Sequence, residues 1–171
     1  MSRIKPREPF PDLDLPFAGG GRFVLSERRP KHFTMLVVYR GLHCPLCQRY
    51  LGELQAKHDD FLRLDVEPIA LSTDDAGRAE KAKRDWGLAT LPLAYGLSID
   101  TARSLGLYIS TPIQPDQSAL FAEPGLFLIR PDQTLFCASI QTMPFTRPDL
   151  GTLLDALQFI TTMGYPARGE A

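Results

Sequence analysis

Residues 39–47, Tyr39-Arg40-Gly41-Leu42-His43-Cys44-Pro45-Leu46-Cys47 (YRGLHCPLC), lie where two kinds of sequence pattern meet. Before them runs HFTMLVVY, His32 to Tyr39, a β-branched and apolar stretch with the character of a buried strand. After them Leu46, Cys47, Tyr50, Leu51, Leu54 and His58 recur close to every 3.6 residues and predict one buried face of a helix. The junction is thus a strand-to-helix turn. Cys44 falls at the N-cap and Pro45 at the first helical position, where its missing N–H costs nothing. Unpaired backbone N–H groups and the positive end of the helix dipole then face the Cys44 sulfur and favour its thiolate. Cys47, one turn further in, is expected on the buried side and within bonding distance of Cys44. One sulfur is placed to attack from the surface and the other to close a disulfide behind it.

Working outward, PFAGGGRFVLSE (Pro16 to Glu27) reads as two short extended pieces around a glycine turn. Together with the segment before it, this makes an N-terminal extension and hairpin at about residues 1–31. VEPIALS (Val66 to Ser72) is a second core strand. The helix that follows is capped from among Ser72, Thr73 and Asp74, stops at Gly87, and carries a small-residue stripe of Ala76, Ala79 and Ala82 with Trp86. LPLAYGL is a short strand, and Asp100 caps a short helix ending near Gly106. STPIQPDQSALFAEP (Ser110 to Pro124) is a loop, GLFLIR-PDQ-TLFCASI a hairpin around a Pro-Asp turn, and Arg147 to Gly164 contains a final helix with Leu150, Leu153, Leu154, Leu157 and Ile160 on one stripe. Alternating strands and helices followed by a hairpin predict an α/β fold: a mixed central sheet with helices on both faces.

The 171 residues suit a single domain. A net charge of -1 excludes an electrostatic case for nucleic acid or anionic lipid. Apolar runs reach only about five residues, so no membrane span is expected. The charged, proline-containing start does not read as a signal peptide, which leaves the cytoplasm as the expected compartment. In such a reducing setting three cysteines are not a disulfide framework, and a close pair points to redox chemistry or metal. Zinc would need His43, His58 and Cys137 to converge on the pair, and haem attachment would need a histidine where Gln48 stands. Neither a metal nor a cofactor is expected. Simple packing of small thiols competes with redox use, but Cys44 lies off the apolar stripe. His43 and Arg40 are candidates to support a thiolate, each weighed against an ordinary solvated residue. Cys137 reads as a small buried hydrophobe, and Tyr39 and Trp86 as core.

Three stretches resemble the thioredoxin-fold superfamily and, within it, the peroxiredoxin-like AhpC/TSA branch. They are PFPDLDLPFAGGGRFVLSERRPKHFTMLVVYRGLHCPLC, ALSTDDAGRAEKAKRDWGLATLPLAYGLSIDTARSLGL and EPGLFLIRPDQTLFCASI. The resemblance implies a thioredoxin-like three-layer fold and a thiol-dependent oxidoreductase. Its substrate would be a hydroperoxide or a protein disulfide, and its partner a thiol reductant such as a thioredoxin or glutathione system; relatives of this kind often form homodimers. Two positions depart from the family. Its Pro-x-x-x-Thr-x-x-Cys signature meets Val37 and Gly41 here, and Pro124 stands where the family carries an arginine facing the cysteine. In thioredoxin-like disulfide reductases that position is a cis-proline, so Glu123-Pro124 is expected to be cis and to shape the substrate-facing wall. The fold resemblance favours peroxide, the active-site residues favour disulfide. A redox-responsive binding or regulatory protein without turnover is the alternative, with 111–124 as its contact surface and a fully buried Cys44 as its mark.

Overall fold

The computed structural model describes residues 4–171. Among these residues fourteen α-helices and β-strands follow one another, with a 3-10 turn at Leu25–Glu27 after the second strand: β1 (Asp14–Pro16), β2 (Arg22–Val24), β3 (Phe33–Val38), α1 (Pro45–Ala56), α2 (His58–Arg63), β4 (Val66–Leu71), α3 (Ala76–Asp85), β5 (Leu93–Ala94), α4 (Ile99–Ser104), β6 (Ile109–Ser110), β7 (Phe121–Ala122), β8 (Gly125–Ile129), β9 (Leu135–Ile140) and α5 (Leu150–Met163). The central sheet has the order β5-β4-β3-β8-β9. The crossovers through helices make β3, β4 and β5 parallel, and the closing hairpin adds β8 and β9 antiparallel. β3 is the middle strand and every one of its residues is buried, which is why its sequence is continuously apolar rather than alternating.

The two faces are covered differently. Met35 and Val37 of β3 pack toward Cys47, Leu51 and Leu54 of α1, Ala79 and Ala82 of α3, and Leu150 and Leu157 of α5. Leu36 and Val38 point the other way, toward Ala102 of α4 and toward Phe10, Leu13, Leu15 and Phe23 around the N-terminal hairpin β1–β2. Helices thus lie on both faces of a mixed sheet, the expected α/β thioredoxin-like architecture.

Several local expectations change. The helical run after Cys44 breaks at Lys57, so His58 opens a separate helix, and Leu46 is 37% exposed rather than on the buried stripe. Asp75, not a residue from 72 to 74, caps α3 through its bond from the Arg78 N–H; Ser98, not Asp100, caps α4. Ala76 is exposed, while Ala79 and Ala82 are buried. The predicted 91–97 strand shrinks to two residues. The stretch 110–124 is more than a loop, because β6 and β7 pair antiparallel at its base. The α5 stripe holds, and Gly164 ends that helix at φ +62° with its N–H on the Ile160 carbonyl.

Candidate functional site

The dithiol forms at the C-terminal end of β3. Tyr39 N–H still bonds to the Leu71 carbonyl, then the chain turns through Gly41 at φ +133°. A Cβ on residue 41 would lie 2.7 Å from Asp74 Oδ1, so only glycine leaves room for that carboxylate. Asp74 itself is fully buried as a side chain; its Oδ2 accepts the Leu42 N–H at 2.7 Å and its Oδ1 the Arg78 Nε–H at 2.9 Å. The turn is thereby anchored to the segment between β4 and α3, and it delivers Cys44 to the N-cap of α1. There the Cys44 sulfur accepts the Cys47 N–H at 3.2 Å, with Pro45 at the first helical position.

Both thiols are free and buried: Cys44 is 3% exposed and Cys47 0%. The expectation that Cys44 sits at the surface is corrected here. Cys47 anchors the inner side of the first turn of α1 in the core, and Cys44 lies buried beside it while Pro45 and Leu46 stay exposed.

Sequence reading missed Arg147. It lies in the connection between β9 and α5, and its Nη2 donates to Cys47 Sγ at 3.1 Å. Its Nη1 donates to the Pro144 carbonyl at 3.1 Å, and the guanidinium sits 4.9 Å from the Tyr50 ring centroid. Tyr50 in turn donates its hydroxyl to the Pro148 carbonyl at 2.8 Å, which staples this connection onto α1. A groove of about 290 Å³ beside Arg147 is lined by Leu46, Arg49, Tyr50, Phe145 and Asp149. No periodicity marks Arg147, though an arginine between two prolines just ahead of a helix cap was a signal of a held loop.

Two donors compete for the pair's negative charge. The helix tip offers one backbone N–H to Cys44 Sγ at 3.2 Å, whereas Arg147 brings a full positive charge as well as a hydrogen bond to Cys47 Sγ at 3.1 Å. Burial pushes the Cys47 thiol up, but its bond from Cys44, the charge and hydrogen bond of Arg147 and the Arg40 backbone N–H bring it down to about 6. Cys44 is pushed up, first by its hydrogen bond to the Cys47 sulfur, then by burial and by the charge on Cys47. The reduced pair holds its charge on Cys47.

The other expected residues take different positions. The Arg40 guanidinium turns from the sulfurs, lying 4.9 Å from the Phe121 ring centroid and 3.5 Å from the buried Glu123 carboxylate. His43 rests against Phe121 at 4.7 Å, with Nδ1 facing Arg78 Nη2 at 3.4 Å. Burial, Arg40 and Arg78 hold its imidazole below the usual range, so near neutral pH it supplies no cation to a thiolate. Pro124 is buried one residue beyond the Val38–Gly125 pairing, at the same end of the sheet as the turn, but its peptide bond is trans. The cis expectation is corrected: the Glu123 N–H bonds the Tyr108 carbonyl and the Pro124 carbonyl accepts the Gln141 N–H. The chain so runs on from β7 into β8, and a cis bond between them would turn it out of these pairings. Cys137 is exposed on β9, not buried: the inward positions of that strand near it are taken by Leu135 and Phe136. Tyr39 and Trp86 are core neighbours, as expected, with rings 5.8 Å apart. Among the described residues no group of three metal-ligating side chains forms, and no helix is long and apolar enough to cross a membrane.

Solved structures share the fold. Peroxiredoxin 6 of Arenicola marina superposes with a TM-score of 0.77 at 18% identity, over 94% of this chain and 75% of that one. AhpC of Enterococcus faecalis gives 0.75 at 17% identity, over 98% and 99%. PrxQ of Xylella fastidiosa gives 0.74 at 16% identity, over 96% and 100%. No curated protein sequence matches the chain. The fold and the close cysteine pair define a thiol-dependent oxidoreductase of thioredoxin-like architecture. Residues 6–136 match the AhpC/TSA family, and the chain belongs to it.

Proposed function

We propose that this protein reduces hydroperoxides, with Cys44 as the attacking sulfur and Cys47 as the resolving one. The recess of Cys44 carries the reading: at 3% exposure the sulfur can be reached by a slender O–O group far more readily than by a second protein's disulfide. The trans Glu123-Pro124 bond removes the cis-proline of a disulfide reductase, one of the two departures that had favoured a disulfide substrate. The names of the solved neighbours, peroxiredoxins among them, point the same way. Leu46 and Phe145, exposed at the groove, suit the organic part of a hydroperoxide. Attack gives a sulfenic acid on Cys44, Cys47 closes the disulfide, and a thiol reductant of the thioredoxin or glutathione kind restores the dithiol. A cytoplasmic setting suits this cycle, since a reducing compartment supplies the electrons. His43, Arg40 and Pro124 serve by shaping the turn and its wall rather than by charge.

Purified protein in a reductant-coupled assay is expected to consume hydroperoxide, and Cys44→Ser to abolish consumption. Cys47→Ser is expected to use one equivalent and leave a sulfenic acid that dimedone traps. Turnover surviving in Cys44→Ser overturns the assignment. The burial of Cys44 also favours the second reading, a redox-responsive binding protein. Folded wild-type protein that forms the Cys44–Cys47 disulfide yet never turns over would select it.

A further inference from the structure

We propose that Arg147 holds Cys47 as a thiolate, so that Cys47 is the ready nucleophile that closes the disulfide on Cys44. The inference rests on the peroxidase reading above and adds what readies its resolving sulfur. Three arginines meet the site. Arg40 is 3.5 Å from the Glu123 carboxylate and Arg78 is 2.9 Å from Asp74. Among the described residues no carboxylate comes within ion-pair distance of Arg147, whose Nη2 is 3.1 Å from Cys47 Sγ. Its charge is committed to that sulfur. The charged and titratable groups facing Cys47 are Cys44 on its own turn, Tyr39 from the end of β3 and Arg147 from the connection ahead of α5; Arg40 adds only its backbone N–H. Arg147 also lies outside the 6–136 stretch that matches the family.

The sequence of bonds follows. Cys44 Sγ gives up its proton as it attacks the terminal oxygen of ROOH. The S–O bond forms, the O–O bond breaks, and RO⁻ leaves. RO⁻ takes up the proton that Cys44 gave up, giving ROH, while the Cys47 thiolate stays beside Arg147. Cys44 has been oxidised to Cys44–SOH by two electrons, and the peroxide has been reduced by the same two. Cys47 S⁻ then attacks the Cys44 sulfur; the S–S bond forms, the S–O bond breaks, and hydroxide leaves to be protonated by solvent. Arg147 thus serves the closing step through one atom, Cys47 Sγ.

The test uses full-length protein carrying Arg147→Gln or Arg147→Lys, with circular dichroism and thermal melting to establish folding. In a Cys44→Ser background, Cys47 alkylation is followed against pH. Arg147→Gln is expected to move the midpoint upward by a unit or more, and Arg147→Lys to recover part of it. In the background with both cysteines, Arg147→Gln is expected to lengthen the life of the dimedone-trappable Cys44 sulfenic acid at least tenfold. A midpoint and a lifetime both unchanged in folded Arg147→Gln overturn the proposal, as does an Arg147→Lys variant no better than Arg147→Gln in either readout. The alkylation readout needs no peroxide, so failure of the peroxidase reading shows separately, as absent hydroperoxide consumption by the wild type.

Discussion

At position 41 the backbone leaves room for a hydrogen and nothing larger. Its φ of +133° is a conformation that side chains resist, and the space beyond is filled by the Asp74 carboxylate. The aspartate cannot retreat, being held by the Leu42 N–H and by Arg78. Gly41→Ala is therefore expected to cost about 1–3 kcal/mol, read as a lower urea midpoint with an unchanged slope. The family signature has a threonine at this position; here the Asp74 carboxylate, from the connection between β4 and α3, occupies the ground its side chain would need. A melt of Gly41→Ala matching the wild type would show that the turn is looser than these contacts require.

At the scale of elements, the decisive relation is between α1 and the connection leading into α5. Cys47 and Tyr50 stand one turn apart on α1, and Arg147 and Pro148 answer them in the same order. The Tyr50 hydroxyl bond to the Pro148 carbonyl thus fixes the segment that carries the guanidinium. Tyr50→Phe keeps the ring under Arg147 but orphans the carbonyl. It is expected to lower stability by about 1 kcal/mol in urea titration and to prolong the Cys44 sulfenic acid, though less than Arg147→Gln does. A stability loss with no change in that lifetime would separate the staple from the chemistry.

For the whole molecule, the dithiol couples redox state to stability through protons. Folded Cys47 ionises near 6, whereas an unfolded cysteine holds its proton to about 9. Between those values the unfolded chain binds the additional proton, so the stability of the reduced protein rises with pH. The slope is at most about 1.4 kcal/mol per pH unit. Above about 9 the sign turns, because unfolded Cys44 ionises while folded Cys44 keeps its proton. His43, whose folded imidazole also titrates low, adds the same sign only below its ordinary value of 6.5. Thermal melts of reduced protein between about pH 7 and about pH 8.5 isolate the thiol contribution. The melting temperature is expected to rise across that window in the wild type and to stay level in Cys47→Ala. An equal rise in both would remove Cys47 as its source.

Local pattern was enough for the strand HFTMLVVY, the helix begun by Pro45 and the placement of Cys44 as its cap, because hydrophobic period and backbone donors act within a few residues. The resemblance of the central stretch carried the sheet and its family. Caps slipped by one or two residues at Asp75 and Ser98, since neighbouring oxygens compete for the same orphan N–H and only the realised chain direction chooses between them. Pattern could not say how deep Cys44 lies, that Cys137 is exposed, or that Glu123-Pro124 is trans, for each depends on neighbours brought in from elsewhere. Above all, the cation at the dithiol comes from 100 residues away along the chain. The adjacent Arg40 was drawn off by Glu123, a carboxylate also remote in sequence. Charges act through space, so packing alone decided which arginine reaches the sulfur and which of the two sulfurs carries the charge.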